Sequence, residues 1–424
     1  MKSTAATLRN AAWLVSERAL RLPVSVLVGA LVARHLGPVQ FGALNYALAI
    51  VAIFAVLANA GLDRIVVRDI ARRPEESDPL LGSVFAIKAT GGFVAFACSI
   101  AAAFFLAQGN DLLPWLVLPA ALGLLFQASE AVDLWFQSHL KARIGVLARN
   151  AVFLVMAGVK VVLVFLGAPL PAFAWAVLLD ACLAAAALAL AYRLQHARFT
   201  AWRIDRAKVT SLLREGWPLI VASLMVSTYV KIDQVMLGAL AGGAAVGVYS
   251  AAVALSEPWY FVPTALIMSA APALARHRES DPAWYERRFV QLFRALLALS
   301  VLMALLLSLA SGLLVRTIFG DAYLAAAPVL AVHVWAIVFV SLALVGGQYL
   351  VLEGLTRVTL ERTAVGALLN IALNLWWIPS YGALGAAWAT LISYAAVSVF
   401  LFHTPATRRC LRLMVRAVVP WAGR

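Results

Sequence analysis

Ala33-Arg34-His35-Leu36-Gly37-Pro38-Val39-Gln40-Phe41-Gly42 is the stretch on which the fold turns. One apolar run, 11–33, leads into it and another, 41–62, leads out. A helix crosses the hydrocarbon core of a bilayer with about 20 apolar residues, so each run is one crossing and the decapeptide is a Leu-Gly turn between neighbours. An apolar-Gly pair then opens a Tyr- and Ala-rich helix. The pattern returns at Met236-Leu237-Gly238, followed by Ala245-Val246-Gly247-Val248-Tyr249-Ser250-Ala251-Ala252. Gly42 and Gly247 stand 205 positions apart in 424, close to half the chain. Glycine at such a place lets helix ends pack closely, and two like-oriented halves fit a parallel repeat.

Working outward, the whole chain reads as membrane. It is 64% hydrophobic and 13% charged, with a mean hydropathy of +0.91, so it cannot assemble the charged shell of a soluble protein. Spans are expected near 11–33, 41–62, 81–107, 112–136, 144–166, 171–193, 215–240, 246–272, 289–315, 327–352, 361–379 and 383–403. The first is too long for a signal-peptide core and reads as a retained helix. Of the lysines and arginines between spans, 26 fall at the N-terminus, in the even-numbered connections and in the tail, against Arg34 and Arg316 in the odd-numbered ones. A wrong helix count would scramble that alternation. Both termini are therefore expected on the cytoplasmic side, and the net charge of +14 calls for no nucleic acid. The longest polar segment divides the chain into an N-terminal six-helix lobe (1–195), a cytoplasmic linker (196–214), a C-terminal six-helix lobe (215–403) and a basic tail (404–424).

Three stretches then resemble one family. Leu31 to Asp69 carries Asn59-Ala-Gly-Leu-Asp63 and Val67-Arg-Asp-Ile70 beyond the turn. Lys231-Ile-Asp-Gln-Val-Met-Leu-Gly238 runs on to Gly247-Val-Tyr-Ser-Ala-Ala252. Asn370-Ile-Ala-Leu-Asn374 continues through Ile378-Pro-Ser-Tyr-Gly382 to Gly385-Ala-Ala-Trp-Ala-Thr390. In this order and spacing they resemble the polysaccharide biosynthesis flippases, the Wzx-type exporters of O-antigen and exopolysaccharide. The resemblance implies an all-α polytopic protein of the multidrug/oligosaccharidyl-lipid/polysaccharide exporter superfamily, with about twelve transmembrane helices in two six-helix bundles around a central cavity. It implies a monomeric flippase in a bacterial inner membrane, moving a polyprenyl-diphosphate-linked oligosaccharide by alternating access. The expected partners are that lipid-linked oligosaccharide, membrane lipid, and the polysaccharide polymerase and chain-length machinery.

Charge at membrane depth is costly and marks function by default. Arg21, Lys88, Lys160, Lys231 and Arg294 are the cations expected to meet a lipid diphosphate, arginine bidentately and lysine as a point charge. Arg149 shares a face with Lys160 but is near enough to the membrane edge to snorkel. Glu130, Asp133, Asp180, Asp233 and Glu257 are the carboxylates expected either to pair with those cations or to couple transport to a proton or sodium gradient. Asn370 and Asn374, one turn apart, read as interhelical hydrogen-bonding residues. Cys98, Cys182 and Cys410 have no metal-ligand spacing and read as buried small hydrophobes. No Walker A loop or hydrolase motif is present, so neither a cofactor nor an enzymatic activity is expected. Two other classes share some of these features. A multidrug or cation antiporter would favour an acidic cavity. A membrane-embedded polymerase or ligase would carry a long periplasmic loop, whereas here the long connections are on the basic side.

Overall fold

The computed structural model describes residues 2–107, 109, 111–195, 199–400 and 405–418, with no side-chain description for 2–16, 18, 19, 356 and 406. The first and last parts of the linker and tail expectations, including Arg198 and Arg424, lie outside these residues. All regular structure described is helical. It comprises α1 (Lys2–Asn59), α2 (Asp63–Arg72), α3 (Ser77–Ala107), α4 (Leu112–Gly123), α5 (Glu130–Ser138), α6 (Ala142–Phe165), α7 (Leu170–Leu194), α8 (Arg206–Ser256), α9 (Phe261–Ser280), α10 (Pro282–Leu309), α11 (Ser311–Phe319), α12 (Ala326–His333), α13 (Ala336–Leu352), α14 (Thr356–Val399) and α15 (Pro405–Val418).

Three helices are far too long for one crossing. At 1.5 Å per residue a straight α1 would run about 87 Å, nearly three times the ~30 Å hydrocarbon core. Each is in fact two helices meeting at a glycine with a left-handed φ: Gly37 (φ 71°, ψ 169°), Gly242 (φ 80°, ψ 175°) and Gly382 (φ 54°, ψ −131°). Only glycine adopts such angles cheaply. The first two glycines differ by the 205 positions of the sequence repeat and share nearly the same backbone conformation. Side chains sixteen residues apart meet across the second joint: Tyr249 OH donates to Asp233 Oδ2 at 2.7 Å and Gln234 Nε2 to Ser250 Oγ at 3.1 Å. Such meetings require the two limbs to lie antiparallel. Among the described residues nine stretches are long and apolar enough to cross a membrane. The three that contain a hinge glycine, Leu20–Arg72, Arg206–Ser280 and Arg357–Val399, each cross twice, which makes twelve crossings.

The chain forms two compact units, 1–231 and 232–424. The division falls inside α8, between Lys231 and Ile232, while the polar segment at 199–214 packs within the first unit. In that unit α3 approaches its neighbours so closely that a Cβ on Gly91 would overlap the carbonyl oxygen of Leu57, and one on Gly92 that of Leu124. The fourth crossing is interrupted by a 3₁₀ segment, Leu124–Ser129, which re-aims Gln127 and Glu130. The second unit has an apolar cluster in which Phe289, Phe293, Tyr349 and Leu350 pack with Cys410 and Leu413 of α15.

Candidate functional site

The first unit gathers its charges between α1, α5, α6 and α7. Glu17, on α1, accepts from Arg149 on α6 at 3.0 Å (Nε) and 2.8 Å (Nη2), a bidentate fork. Arg149 Nη1 pairs with Asp133 of α5, and Gln137 Nε2 donates to the other oxygen of Asp133 at 2.8 Å. Arg149 is therefore neither a snorkelling residue nor a free cation; it bridges three helices. Its partner Glu17 is 132 positions and one hinge away, and nothing in local spacing announces it. Arg21, one turn along from Glu17, reaches it at 3.2 Å. It also donates from Nε to Asn150 Oδ1 at 3.0 Å and lies 5.1 Å over the Phe153 ring. With its side chain 32% exposed, Arg21 keeps guanidinium surface open.

That surface faces space. A cavity of about 400 Å³ is walled by Arg21, Gln127, Arg149, Phe153 and Asp180 among apolar residues. A second, of about 220 Å³, is walled by Ser25, Asn45, Lys160 and Asp180. Phe153, Leu48, Val177 and Asp180 line both, so the two adjoin. The walls present three cations, Arg21, Arg149 and Lys160, and one carboxylate, Asp180. Glu17 and Asp133 hold Arg149 from behind and line neither cavity.

The other expected cations are placed differently. The Lys88 side chain is 0% exposed and held by Asp63 at 3.0 Å and Glu130 at 3.3 Å, so two carboxylates already satisfy it. Arg294 is exposed on α10, where it donates to the carbonyl of Arg416 at 3.5 Å, and it lines neither cavity. Lys231 is half-buried and has no ion-pair partner among the described residues. Of the expected carboxylates, Glu130 and Asp133 serve two different cations rather than each other. Glu257 is half-buried at the start of a 3₁₀ turn.

Asp233 stands apart. It is 3% exposed, and its partners are neutral: Asn374 Nδ2 donates to Oδ1 at 2.6 Å, Tyr249 OH to Oδ2 at 2.7 Å and Thr390 Oγ1 to Oδ2 at 2.5 Å. With its bond to Asp233 on α8, Asn374 makes the interhelical contact expected of it, and within α14 it also donates to Asn370 Oδ1 at 3.1 Å. Asn374 and Thr390 flank the Gly382 joint as Asp233 and Tyr249 flank that at Gly242. The hinges thus deliver four polar groups to one point. Tyr249 and Thr390 were missed in the sequence, although their common sixteen-residue offset across a joint glycine was readable there. Two buried atoms in the cluster, Asn374 Oδ1 and Asn370 Nδ2, have no partner. Behind Tyr249, buried His333 shares a hydrogen bond of 2.8 Å with Ser256.

Comparison with known proteins agrees with this anatomy. Residues 7–277 match the family of polysaccharide biosynthesis proteins, and residues 218–376 match the MatE family. A stretch of 198 residues is 29% identical to a Haloferax volcanii protein named "Probable flippase AglR"; it spans 45% of this chain and 40% of that relative. Among solved structures the chain is similar to the lipid II flippase MurJ in an inward closed conformation, with TM-score 0.72, 13% identity, and 96% of this chain and 90% of that one covered. It is equally similar to an inward-facing MATE-family multidrug transporter, with TM-score 0.73, 15% identity, and 94% and 98% covered. At such identities these likenesses speak for fold alone. The chain belongs to the polysaccharide biosynthesis protein family, and is an all-helical, multi-pass membrane protein with the fold shared by MurJ and the MATE transporters.

Proposed function

We propose that this protein is a flippase for a polyprenyl-diphosphate-linked oligosaccharide, moving it from the cytoplasmic to the outer leaflet of a bacterial inner membrane by alternating access, for O-antigen, capsule or exopolysaccharide synthesis. The observation that carries the reading is the wall of the first unit's cavities, where Arg21, Arg149 and Lys160 face space against a single carboxylate. A diphosphate presents acceptor oxygens and negative charge to the open guanidinium surface of Arg21 and to Lys160. Arg21 and Lys160 are the diphosphate ligands in this proposal, with half-buried Lys231 a third. Gln127, Asn45 and Ser25 offer amide and hydroxyl partners to sugar hydroxyls.

Asp233 is proposed as the coupling site. A buried carboxylate without a cationic partner is costly, and a proton or a small monovalent cation relieves that cost. The oxygens of Asp233, Thr390 and Tyr249, with the unpartnered Asn374 Oδ1, form the donor set for it. Asp180 is a second candidate, since it shares both cavities with the wall cations.

Deletion of the gene in its host tests the reading. Loss of surface polysaccharide, with lipid-linked repeat units accumulating on the cytoplasmic side, is the expected result. Intact polysaccharide with altered drug sensitivity would transfer the protein to the antiporters. Asp233→Asn in the complemented strain is expected to abolish ion-dependent export while leaving the protein folded and inserted.

A further inference from the structure

The basic tail takes no part in the transport site, yet it is built. Residues Pro405–Val418 form α15, a helix of 14 residues with four arginines and no acidic residue. It is about 21 Å long at 1.5 Å per residue, too short and too polar to cross a membrane. It begins only a few residues after α14, the last crossing, ends. One face, formed by Thr407, Cys410, Leu413, Met414 and Ala417, is buried against α10 and its neighbours. The opposite face exposes Arg408, Arg412, Val415, Arg416 and Val418.

The electrostatics of that outer face are one-sided. Arg409 is bound by Glu286 at 2.6 Å and so fastens α15 to α10. Arg412 and Arg416 have no carboxylate partner among the described residues. Along α10 the exposed Arg287, Arg288 and Arg294 donate only to Ala283 O, Gln291 Oε1 and Arg416 O. Five guanidinium groups without a carboxylate thus share one surface with two exposed valines, at the end of a crossing. Exposed arginines clustered beside the end of a crossing suit phosphate-bearing headgroups.

We infer that α15, with the exposed arginines of α10, is a docking surface for anionic phospholipid headgroups of the cytoplasmic leaflet. The partner follows from charge complementarity: phosphate-bearing lipids supply the anions the surface lacks. The surface shares no residue with the diphosphate wall, so the inference stands or falls independently of the transported substrate.

The test places the full chain in lipid nanodiscs of phosphatidylcholine, with or without phosphatidylglycerol and with no lipid-linked sugar present. Hydrogen exchange of the α15 amides is then followed. Protection is expected to rise in the anionic bilayer and to fall back when salt screens the charges. Arg412→Gln with Arg416→Gln should diminish the rise on the order of 25-fold, each arginine being worth roughly fivefold. Arg409→Gln is the contrasting variant. It loosens α15 in both bilayers by breaking the Glu286 pair, but keeps the difference between them. Equal protection in the two bilayers, or a rise that the double substitution leaves undiminished, would overturn the assignment.

Discussion

At the scale of single residues, the arginines of the first unit are close in space but differ in what they do. Arg21 shares Glu17 with Arg149 and keeps surface toward the cavity. Removing it leaves the Arg149–Glu17 fork intact. Arg21→Ala is accordingly expected to lower export by roughly 10- to 100-fold, the worth of a charge-assisted hydrogen bond to phosphate, with little change in melting temperature. Arg21→Lys should recover part of the loss, as a point charge replaces a fork. An export assay alongside thermal unfolding in detergent separates the two. Arg149→Ala should behave oppositely. It leaves mostly buried Asp133 without a cation and Glu17 with Arg21 alone, and stranding a buried partner costs about 3–5 kcal/mol. The same unfolding assay should show a large drop in stability, and an unchanged melting curve would refute the bridging role.

At the scale of elements, the three hinge glycines decide where crossings turn. A Cβ on Gly37 or Gly242 meets nothing within 4 Å, so the penalty of substitution is conformational rather than steric. Gly37→Ala and Gly242→Ala are each expected to cost about 1–3 kcal/mol, the range for non-glycine residues in that region of backbone space. Gly29→Ala, in regular helix with equally open surroundings, should be neutral or stabilising by up to about 1 kcal/mol. If all three variants melt alike, the hinge argument fails. The tail helix offers a second check through Cys410. Its side chain is fully buried, and burial pushes the thiol up to about 12, where almost no thiolate exists at neutral pH. With Cys98 and Cys182 replaced by alanine, maleimide should modify Cys410 in the folded protein on the order of 10³-fold more slowly than in the denatured chain. Fast labelling at neutral pH would mean that α15 does not stay seated.

At the scale of the whole molecule, the distribution of basic residues predicts sidedness. In a background without the native cysteines, Arg72→Cys and Arg357→Cys should react with an impermeant maleimide only after cells are opened, while Ala241→Cys and Ala325→Cys should react in intact cells. Any exchange between the sets would break the twelve-crossing scheme. That scheme was legible in the sequence for a physical reason. Apolar length, the asymmetry of lysine and arginine, and the turn glycines are local or additive properties, and the bilayer imposes them segment by segment. The expected joints at 35–40, 240–246 and 379–383 each contain the glycine that breaks a helix. The charged residues were equally legible as a set, because intramembrane ionisable groups are rare and conspicuous. Their roles were not. Whether a cation meets substrate, a carboxylate or water depends on which helices become neighbours, and that is a property of packing. Lys88 and Lys160 look alike in sequence, yet one is enclosed by Asp63 and Glu130 while the other lines a cavity. Arg294 reads as a membrane-depth cation, but packing sets it beside the tail helix. The sequence by itself determined the crossings, the repeat and the family. Only the tertiary structure decided which charges were already neutralised, because ion pairing joins residues on different helices, from Lys88 and Glu130 to Arg149 and Glu17, that only packing brings together.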